Sequence, residues 1–211
     1  MSQGEIQMLR KLSIVVACCM FLLSAAFAQE NRSDVAVSVF GSFPKQTTGN
    51  SIQQDPTNSG GVLLSYSYAF RPHSALALNY SYTRDTQYYT IVGSTTGPIA
   101  SQQANVHEIT AAYVLDAGRD RKLDPFLLAG GGALIFNPIT NSTNSTFGST
   151  TQTSGAFLYG FGVDYRLMHA LGLRLQYRGL IYKAPDFGVS EISTGSWSHS
   201  AEPSIGITYR F

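Results

Sequence analysis

The chain has 211 residues and carries 14 basic against 13 acidic side chains, which gives a formal net charge of +1. Charged residues make up 13% of the chain, whereas roughly 25% is usual in soluble domains. The length allows one domain or one closed barrel, and the balanced, dispersed charge excludes a nucleic-acid-binding protein. This composition fits a protein with a lipid-facing surface, and it also fits a secreted β-sandwich. The order of apolar and polar residues along the chain distinguishes these two classes.

The first 28 residues have the pattern of a secretory signal peptide. Arg10 and Lys11 form its basic region, residues 12–23 form its apolar region, and Ala-Phe-Ala at 26–28 fits the cleavage rule of small residues. The apolar run is shorter than the ~20 residues that a membrane helix needs. We therefore expect export and cleavage before residue 29.

Both cysteines, Cys18 and Cys19, lie in this leader. We expect the mature chain, residues 29–211, to have neither a disulfide framework nor a thiolate metal site. Cys18 also fits a lipoprotein-processing site loosely, although the apolar run continues well beyond it. Met8 is an alternative start that would give the leader a more usual length.

Eight segments with period-two alternation follow the leader. In the second segment Val62, Leu64 and Tyr66 share one face, and Ser65 and Ser67 share the other. This pattern is typical of transmembrane barrel strands, whose apolar residues face lipid and whose polar residues face the interior. No apolar run after the leader is long enough for a membrane helix, so a membrane location requires a closed barrel. The predicted strands are 33–43, 60–70, 75–86, 104–116, 125–136, 155–166, 171–183 and 203–211.

The predicted connections alternate between short and long. Transmembrane barrels have short periplasmic turns and longer extracellular loops, so both termini are expected on the periplasmic side. The Gly-rich run 129–133 is followed by no Lys-Ser/Thr, so it predicts a bend in the wall and not a phosphate loop. The predicted short connections are 71–74, 117–124 and 168–170, and the long ones are 44–59, 87–103, 137–154 and 184–201.

Four segments carry a resemblance to a known family. The last strand ends in phenylalanine with Tyr209 and Phe211 on its apolar face, which is similar to the signal that the barrel-assembly machinery recognises. Over residues 29–211 the chain resembles the small outer-membrane β-barrels of the OmpA and OmpX type, without the peptidoglycan-binding domain that follows the barrel in OmpA-type proteins. The segments are 125–132, 160–164, 171–178 and 204–211.

The resemblance implies an all-β fold, an eight-stranded antiparallel up-and-down transmembrane β-barrel in the bacterial outer membrane. Its expected partners are outer-membrane lipid and, during biogenesis, the barrel-assembly machinery. We expect a monomer that has no cell-wall tether.

Charged residues on the predicted inward faces form the main candidate site. The interior of an eight-stranded barrel is just wide enough for side chains to fill, and an unpaired buried charge costs several kcal/mol. We expect Asp164 and Glu108 to bridge to Arg174, Arg178 or Arg210 and to plug the lumen. A narrow solute pore is the alternative. The full predicted set is Glu108, Asp164, Arg166, Arg174, Arg178 and Arg210.

The four histidines suggest no catalytic group. His73 and His169 lie in predicted turns, and His107 and His199 follow no spacing typical of lipid-modifying enzymes. We predict no catalytic residue, cofactor or metal ligand. The predicted function is a non-enzymatic outer-membrane barrel with a structural or surface-interaction role, whose extracellular loops bind a ligand of unknown identity. The alternatives are a small solute pore, a lipid-modifying enzyme and a secreted lipocalin-like binding barrel.

Overall fold

The computed structural model describes residues 32–118, 121–139 and 150–211, so the predicted signal peptide lies outside the described residues. In this part of the chain there are ten strands and one short 3-10 turn, Ser190–Ile192. No helix in it is long and apolar enough to cross a membrane. The strands are β1 (Ser33–Pro44), β2 (Thr47–Gly49), β3 (Ile52–Pro56), β4 (Ser59–Arg71), β5 (Ser74–Ile91), β6 (Ala100–Asp116), β7 (Leu123–Pro138), β8 (Gln152–Arg166), β9 (Leu171–Lys183) and β10 (Trp197–Arg210).

Eight of these strands, β1 and β4 to β10, form a closed antiparallel barrel. Each pairs with its neighbour along the chain, and β10 pairs with β1 to close the circle. At the end where the chain termini meet, Ser33 and Phe211 exchange two backbone hydrogen bonds of 3.0 and 2.9 Å. We call this end the inner end, and the end with the long connections the outer end.

The predicted alternation is confirmed, with the apolar face outward. On β5, Leu76, Leu78 and Tyr80 are exposed, while Ala77 and Asn79 between them are buried. Among the described residues, buried polar and charged side chains outnumber buried apolar ones. A soluble ligand-binding barrel would have the opposite arrangement, with its apolar face inward, so this structure is that of a membrane barrel.

The strands are longer at the outer end than the sequence predicts. The predicted loop 87–103 is wrong, because β5 extends to Ile91 and β6 begins at Ala100. The predicted loop 184–201 is also too long, since β10 begins at Trp197, and the loop 44–59 contains the hairpin β2–β3. These segments are rich in Thr, Ser and Gln, and polarity alone does not distinguish a loop from a strand that continues beyond the lipid. The predicted loop 137–154 falls largely on residues 140–149, which lie outside the described residues.

The Gly-rich run on β7 lies very close to β6. A Cβ atom on Gly130 would lie 2.0 Å from the carbonyl oxygen of Ala111, and one on Gly132 would lie 2.1 Å from that of Ile109. Only glycine permits this approach of the two backbones. The run therefore serves the curvature of a narrow barrel.

Candidate functional site

Arg178 lies at the centre of the lumen with no exposed surface. Its Nη1 and Nη2 atoms donate to the two carboxylate oxygens of Glu108 at 3.0 and 2.9 Å, and Nη2 also donates to Glu202. Ser81 and Thr110 donate to the same Glu108 carboxylate at 2.7 and 2.8 Å. Two carboxylates thus share one guanidinium in a site closed to solvent. We call Arg178, Glu108 and Glu202 the central cluster.

A second ion-pair cluster lies nearer the inner end. Arg174 binds Asp164 with two hydrogen bonds of 2.7 Å, from Nε and Nη2, and Nη2 also contacts Asp34 at 3.4 Å. Asp164 and Arg174 are direct partners in the pairing of β8 with β9. The guanidinium lies over the ring of Phe126, 4.9 Å from its centroid. Planar, bidentate pairs of this kind hold both side chains in fixed positions.

The structure brings most of the predicted lumen charges together. The sequence predicted which charges face the lumen but not which acid pairs with which arginine. Glu108 contacts Arg178 and Asp164 contacts Arg174, whereas Arg210 lies 3.9 Å from Asp124. Arg166 lines a small cavity at the inner mouth.

Three acidic members of these clusters were missed by sequence reasoning. Asp124 lies in the predicted connection 117–124, and Glu202 lies between the predicted connection 184–201 and the predicted strand 203–211. Asp34 was detectable from alternation, because it shares the inward face of β1 with Ala36 and Ser38, and all three residues are buried. The register that places Asp34 beside Arg174 is not visible in the sequence.

The outer end of the lumen is filled by the connection between β9 and β10. Phe187 is fully buried and packs edge-on against Phe136, with ring centroids 6.4 Å apart. Tyr182 and Ile192 belong to the same buried apolar group. We call residues 184–196, with Phe187 at their innermost point, the plug loop.

Hydrogen bonds from the barrel wall hold the plug loop in place. Gln54 of the β2–β3 hairpin and Tyr89 of β5 both donate to the carbonyl oxygen of Pro185, at 3.2 and 2.9 Å. The side-chain oxygen of Gln152 accepts the backbone N–H groups of Asp186 and Phe187, at 2.8 and 2.7 Å. The positive φ of Phe187, 53°, is thus stabilised by contacts on both sides of the residue.

Asp85 lies below the plug loop, in the extension of β5 beyond the lipid. The membrane band ends before it, because Arg84 is the first charged residue on the outward face of this strand. One carboxylate oxygen of Asp85 accepts a hydrogen bond from Gln87 at 2.8 Å, and the other has no hydrogen-bond partner among the described residues. Burial raises the pKa of Asp85 to about 7.

The cavity at the inner end of the lumen is small. It measures about 20 Å³. Its lining includes the ion pair of Arg174 with Asp164 and that of Arg210 with Asp124. Such a volume holds about one water molecule.

Two histidines contact tyrosine hydroxyl groups, and a third lies near an aspartate. His107 Nδ1 and His199 Nε2 each lie 2.8 Å from a tyrosine hydroxyl, of Tyr80 and Tyr159 respectively. His73 lies 3.9 Å from Asp116 at an inner turn. Within the described ranges, no three His, Cys, Asp or Glu residues are close enough to hold a metal ion.

The predicted assembly signal lies at the end of β10. Tyr209 is exposed on the outer face, and its ring lies 5.9 Å from that of Phe211. Recognition of these two residues by the assembly machinery remains a prediction.

Comparison with known proteins identifies the fold. The family described as outer membrane protein beta-barrel domain matches residues 14–211. Neisserial surface protein A has 15% identity and a TM-score of 0.56 over 85% of this chain and 97% of its own. OprG from Pseudomonas aeruginosa has 13% identity and a TM-score of 0.58 over 86% and 96%. Ail from Yersinia pestis has 18% identity and a TM-score of 0.50 over 87% and 100%. No curated protein sequence matches the chain significantly.

Proposed function

The chain belongs to the outer membrane protein β-barrel domain family, and on that premise we propose that it is a closed, non-enzymatic barrel whose extracellular end binds a partner. The observation that supports this proposal is the filled lumen. The central cluster occupies its middle, where Arg178 has no exposed surface, and the plug loop occupies its outer end. Because the described side chains fill the middle and the outer end of the lumen, the chemistry available to a partner lies on the outside.

The part that projects beyond the lipid carries an apolar patch. Tyr88, Ile91, Val92 and Ile99 lie at the tip of the β5–β6 hairpin, with 39% to 49% of each side chain exposed. Several exposed apolar side chains at one hairpin tip away from lipid mark a candidate interaction site. We call these four residues the tip patch.

The surroundings of the tip patch favour an uncharged partner surface. The connection 93–98 reads Gly-Ser-Thr-Thr-Gly-Pro and has no charged residue. The hydroxyl groups of Ser94 and Thr96 lie 2.7 Å apart and present hydrogen-bonding groups at the edge of the patch. An apolar centre with a polar rim is the usual anatomy of a protein–protein interface.

Site-specific photo-crosslinking in intact cells tests this proposal. Benzoylphenylalanine replaces Val92 in the tip patch, and in a matched control it replaces Gln53 on the β2–β3 hairpin, at the same end of the barrel. We expect a discrete cross-linked band with Val92 and none with Gln53. An equal pattern at both positions, or no band at Val92, would show that the tip patch is not the binding surface.

A further inference from the structure

A groove interrupts the lipid-facing wall between β1 and β10. The pairing of these strands runs as far as Phe40 with Ser204 and resumes only at Phe43 with Ala201. Pro203 lies in the interval and has no N–H to contribute to the ladder. The groove measures about 380 Å³ and is lined by Val39, Phe40, Gly41, Pro203, Ser204 and Ile205.

The groove opens outward, towards the hydrocarbon. Val39 and Ile205 on its two sides are exposed lipid-facing residues, whereas Phe40 and Ser204 at its floor are buried. Its lining is almost entirely apolar. A hydrocarbon chain is therefore the chemistry that it fits.

Basic groups stand directly above the groove. The Lys45 backbone N–H donates to the carbonyl oxygen of His199 at 2.7 Å, so Lys45 lies beside His199. Lys183 pairs with Trp197 on the other side of β10. From His199 to Tyr209 the outward face spans eleven residues, and a transmembrane strand needs about 9–11. Lys45, Lys183 and His199, which we call the basic cap, thus lie at the outer boundary of the membrane.

The cations lie at the outer ends of the two strands that border the groove, β1 and β10, and of β9, which pairs with β10. Near the outer ends of β7 and β8 the outward residues Asn137 and Thr153 are uncharged. Arg84 on β5 is already engaged, since its Nε donates to Asn105 at 2.8 Å. Both lysines of the basic cap are exposed, and among the described residues neither forms an ion pair.

From this arrangement we infer a lipid-binding site on the outer wall of β9, β10 and β1. The ligand is a phosphorylated glycolipid of the outer leaflet, the lipid A class, with one acyl chain in the groove and a phosphate on the basic cap. Lysine ammonium groups bind phosphate as point charges, and basic residues at a membrane surface attract anionic headgroups. The Tyr159 hydroxyl bonds to Nε2 of His199 and orients the ring, so Nδ1 remains for the headgroup. Trp197, which is 69% exposed, occupies the headgroup level that tryptophan favours.

Trp197 makes the site directly observable, because it is the only tryptophan in the chain. The folded full chain in neutral detergent micelles is titrated with bisphosphorylated lipid A while tryptophan emission is recorded. We expect a saturable change in emission with lipid A, a much weaker response with its dephosphorylated form, and no response to inorganic phosphate at the same concentrations. Equal affinity for the phosphorylated and dephosphorylated lipids would overturn the proposed headgroup contact, and an equal response to inorganic phosphate would overturn a lipid ligand.

Variants of the basic cap test whether its lysines bind the phosphate of the lipid. Each basic group near the headgroups contributes roughly a fivefold gain in affinity. The double variant K45Q/K183Q should therefore bind lipid A about thirtyfold more weakly, while R84Q, which removes an outward-facing cation on β5, should bind like the wild type. A heat-dependent shift in gel mobility checks that both variants are folded barrels. Equal affinities of K45Q/K183Q and R84Q would contradict the assignment.

A second pair of variants tests the groove. V39F narrows the groove with a larger apolar side chain, and L78F makes a comparable change on the lipid-facing surface of β5. We expect V39F to weaken lipid A binding about tenfold because the acyl chain loses buried area, and L78F to have no effect. Wild-type affinity of V39F would show that no acyl chain lies in the groove.

Discussion

The stability of the barrel interior depends strongly on the charge of Arg178. It is the only cation in contact with the Glu108 and Glu202 carboxylates in the described ion pairs, and its ring neighbour Phe40 lies 5.7 Å from the guanidinium carbon. If the arginine is removed, two buried carboxylates face each other without compensation. Breaking a buried ion pair in this way is far more destabilising than replacing all of its members.

We therefore expect R178M to lower the free energy of unfolding by about 3–5 kcal/mol. The triple variant R178M/E108Q/E202Q, which removes the charges together, should recover most of that loss. Urea unfolding in lipid vesicles, followed by Trp197 fluorescence, gives both values, and R71M at an exposed inner turn serves as the control. Equal stability of R178M and R71M would show that the central cluster does not hold the lumen together.

Asp85 makes the free energy of unfolding depend on pH, and the direction of this dependence follows from its pKa. Its pKa is raised from 3.8 to about 7 by burial, so between about pH 4 and pH 7 the folded state binds more protons than the unfolded state. The free energy of unfolding therefore falls as the pH rises through this window. Tyr89, whose hydroxyl pKa burial also raises, and Tyr182 face the same carboxylate and supply no positive charge.

The variant D85N should remove this dependence. We expect it to be more stable than the wild type at pH 8, by on the order of 2–4 kcal/mol, and equal to it near pH 2, where the wild-type carboxyl is neutral in both states. Urea unfolding at the two pH values measures the difference. A wild-type advantage at pH 8 would mean that Asp85 is stabilised in its charged form.

At the scale of strands, period-two alternation was sufficient to predict the membrane-spanning part. The predicted strand 171–183 coincides with β9, and 33–43 differs from β1 by one residue. The extensions beyond the lipid were not predictable, because both faces of 87–90 are composed of polar and aromatic residues. For the same reason the sequence assigned Gln87 and Tyr89 to a loop. In the structure both residues are buried under the plug loop.

The candidate site was predictable only in part. Alternation assigns Glu108, Asp164, Arg174 and Arg178 to the inward face, but it contains no information on the height of each residue in the lumen. Height depends on the stagger between strands, which the hydrogen-bond register determines. The pairing of Arg178 with Glu202 therefore required the structure.

The plug loop is the element whose stability depends most on a single side chain. F187A should leave the barrel folded and release the loop, because truncating a buried phenylalanine costs about 3–5 kcal/mol and Phe187 is the largest buried apolar side chain of this segment. Hydrogen exchange measured by mass spectrometry should show faster exchange in residues 184–196 and unchanged exchange in β9. F70A, at an exposed lipid-facing position, is the control. Wild-type exchange of the loop in F187A would show that the hydrogen bonds to Pro185 and Gln152 are sufficient to hold it.

For the whole molecule, two consecutive obstructions lie along the barrel axis. The central cluster and the plug loop occupy different heights, so removing either one leaves the other in place. We expect the wild type and F187A to be silent in planar bilayers at high protein loading. Reproducible conductance steps in the wild type would contradict a filled lumen and would favour the solute pore.

The interval at Pro203 also affects how the barrel closes. β1 and β10 are the strands most distant in sequence, and contacts between distant segments form late because loop closure opposes them. Their seam has seven consecutive residue pairs on the inner side of the interval, Asp34 to Phe40, but only two on the outer side. Closure should therefore run from the inner end outward, and the last pairs to form are those beside the basic cap. A lipid bound there would contact both edges of the seam at the step that completes the barrel.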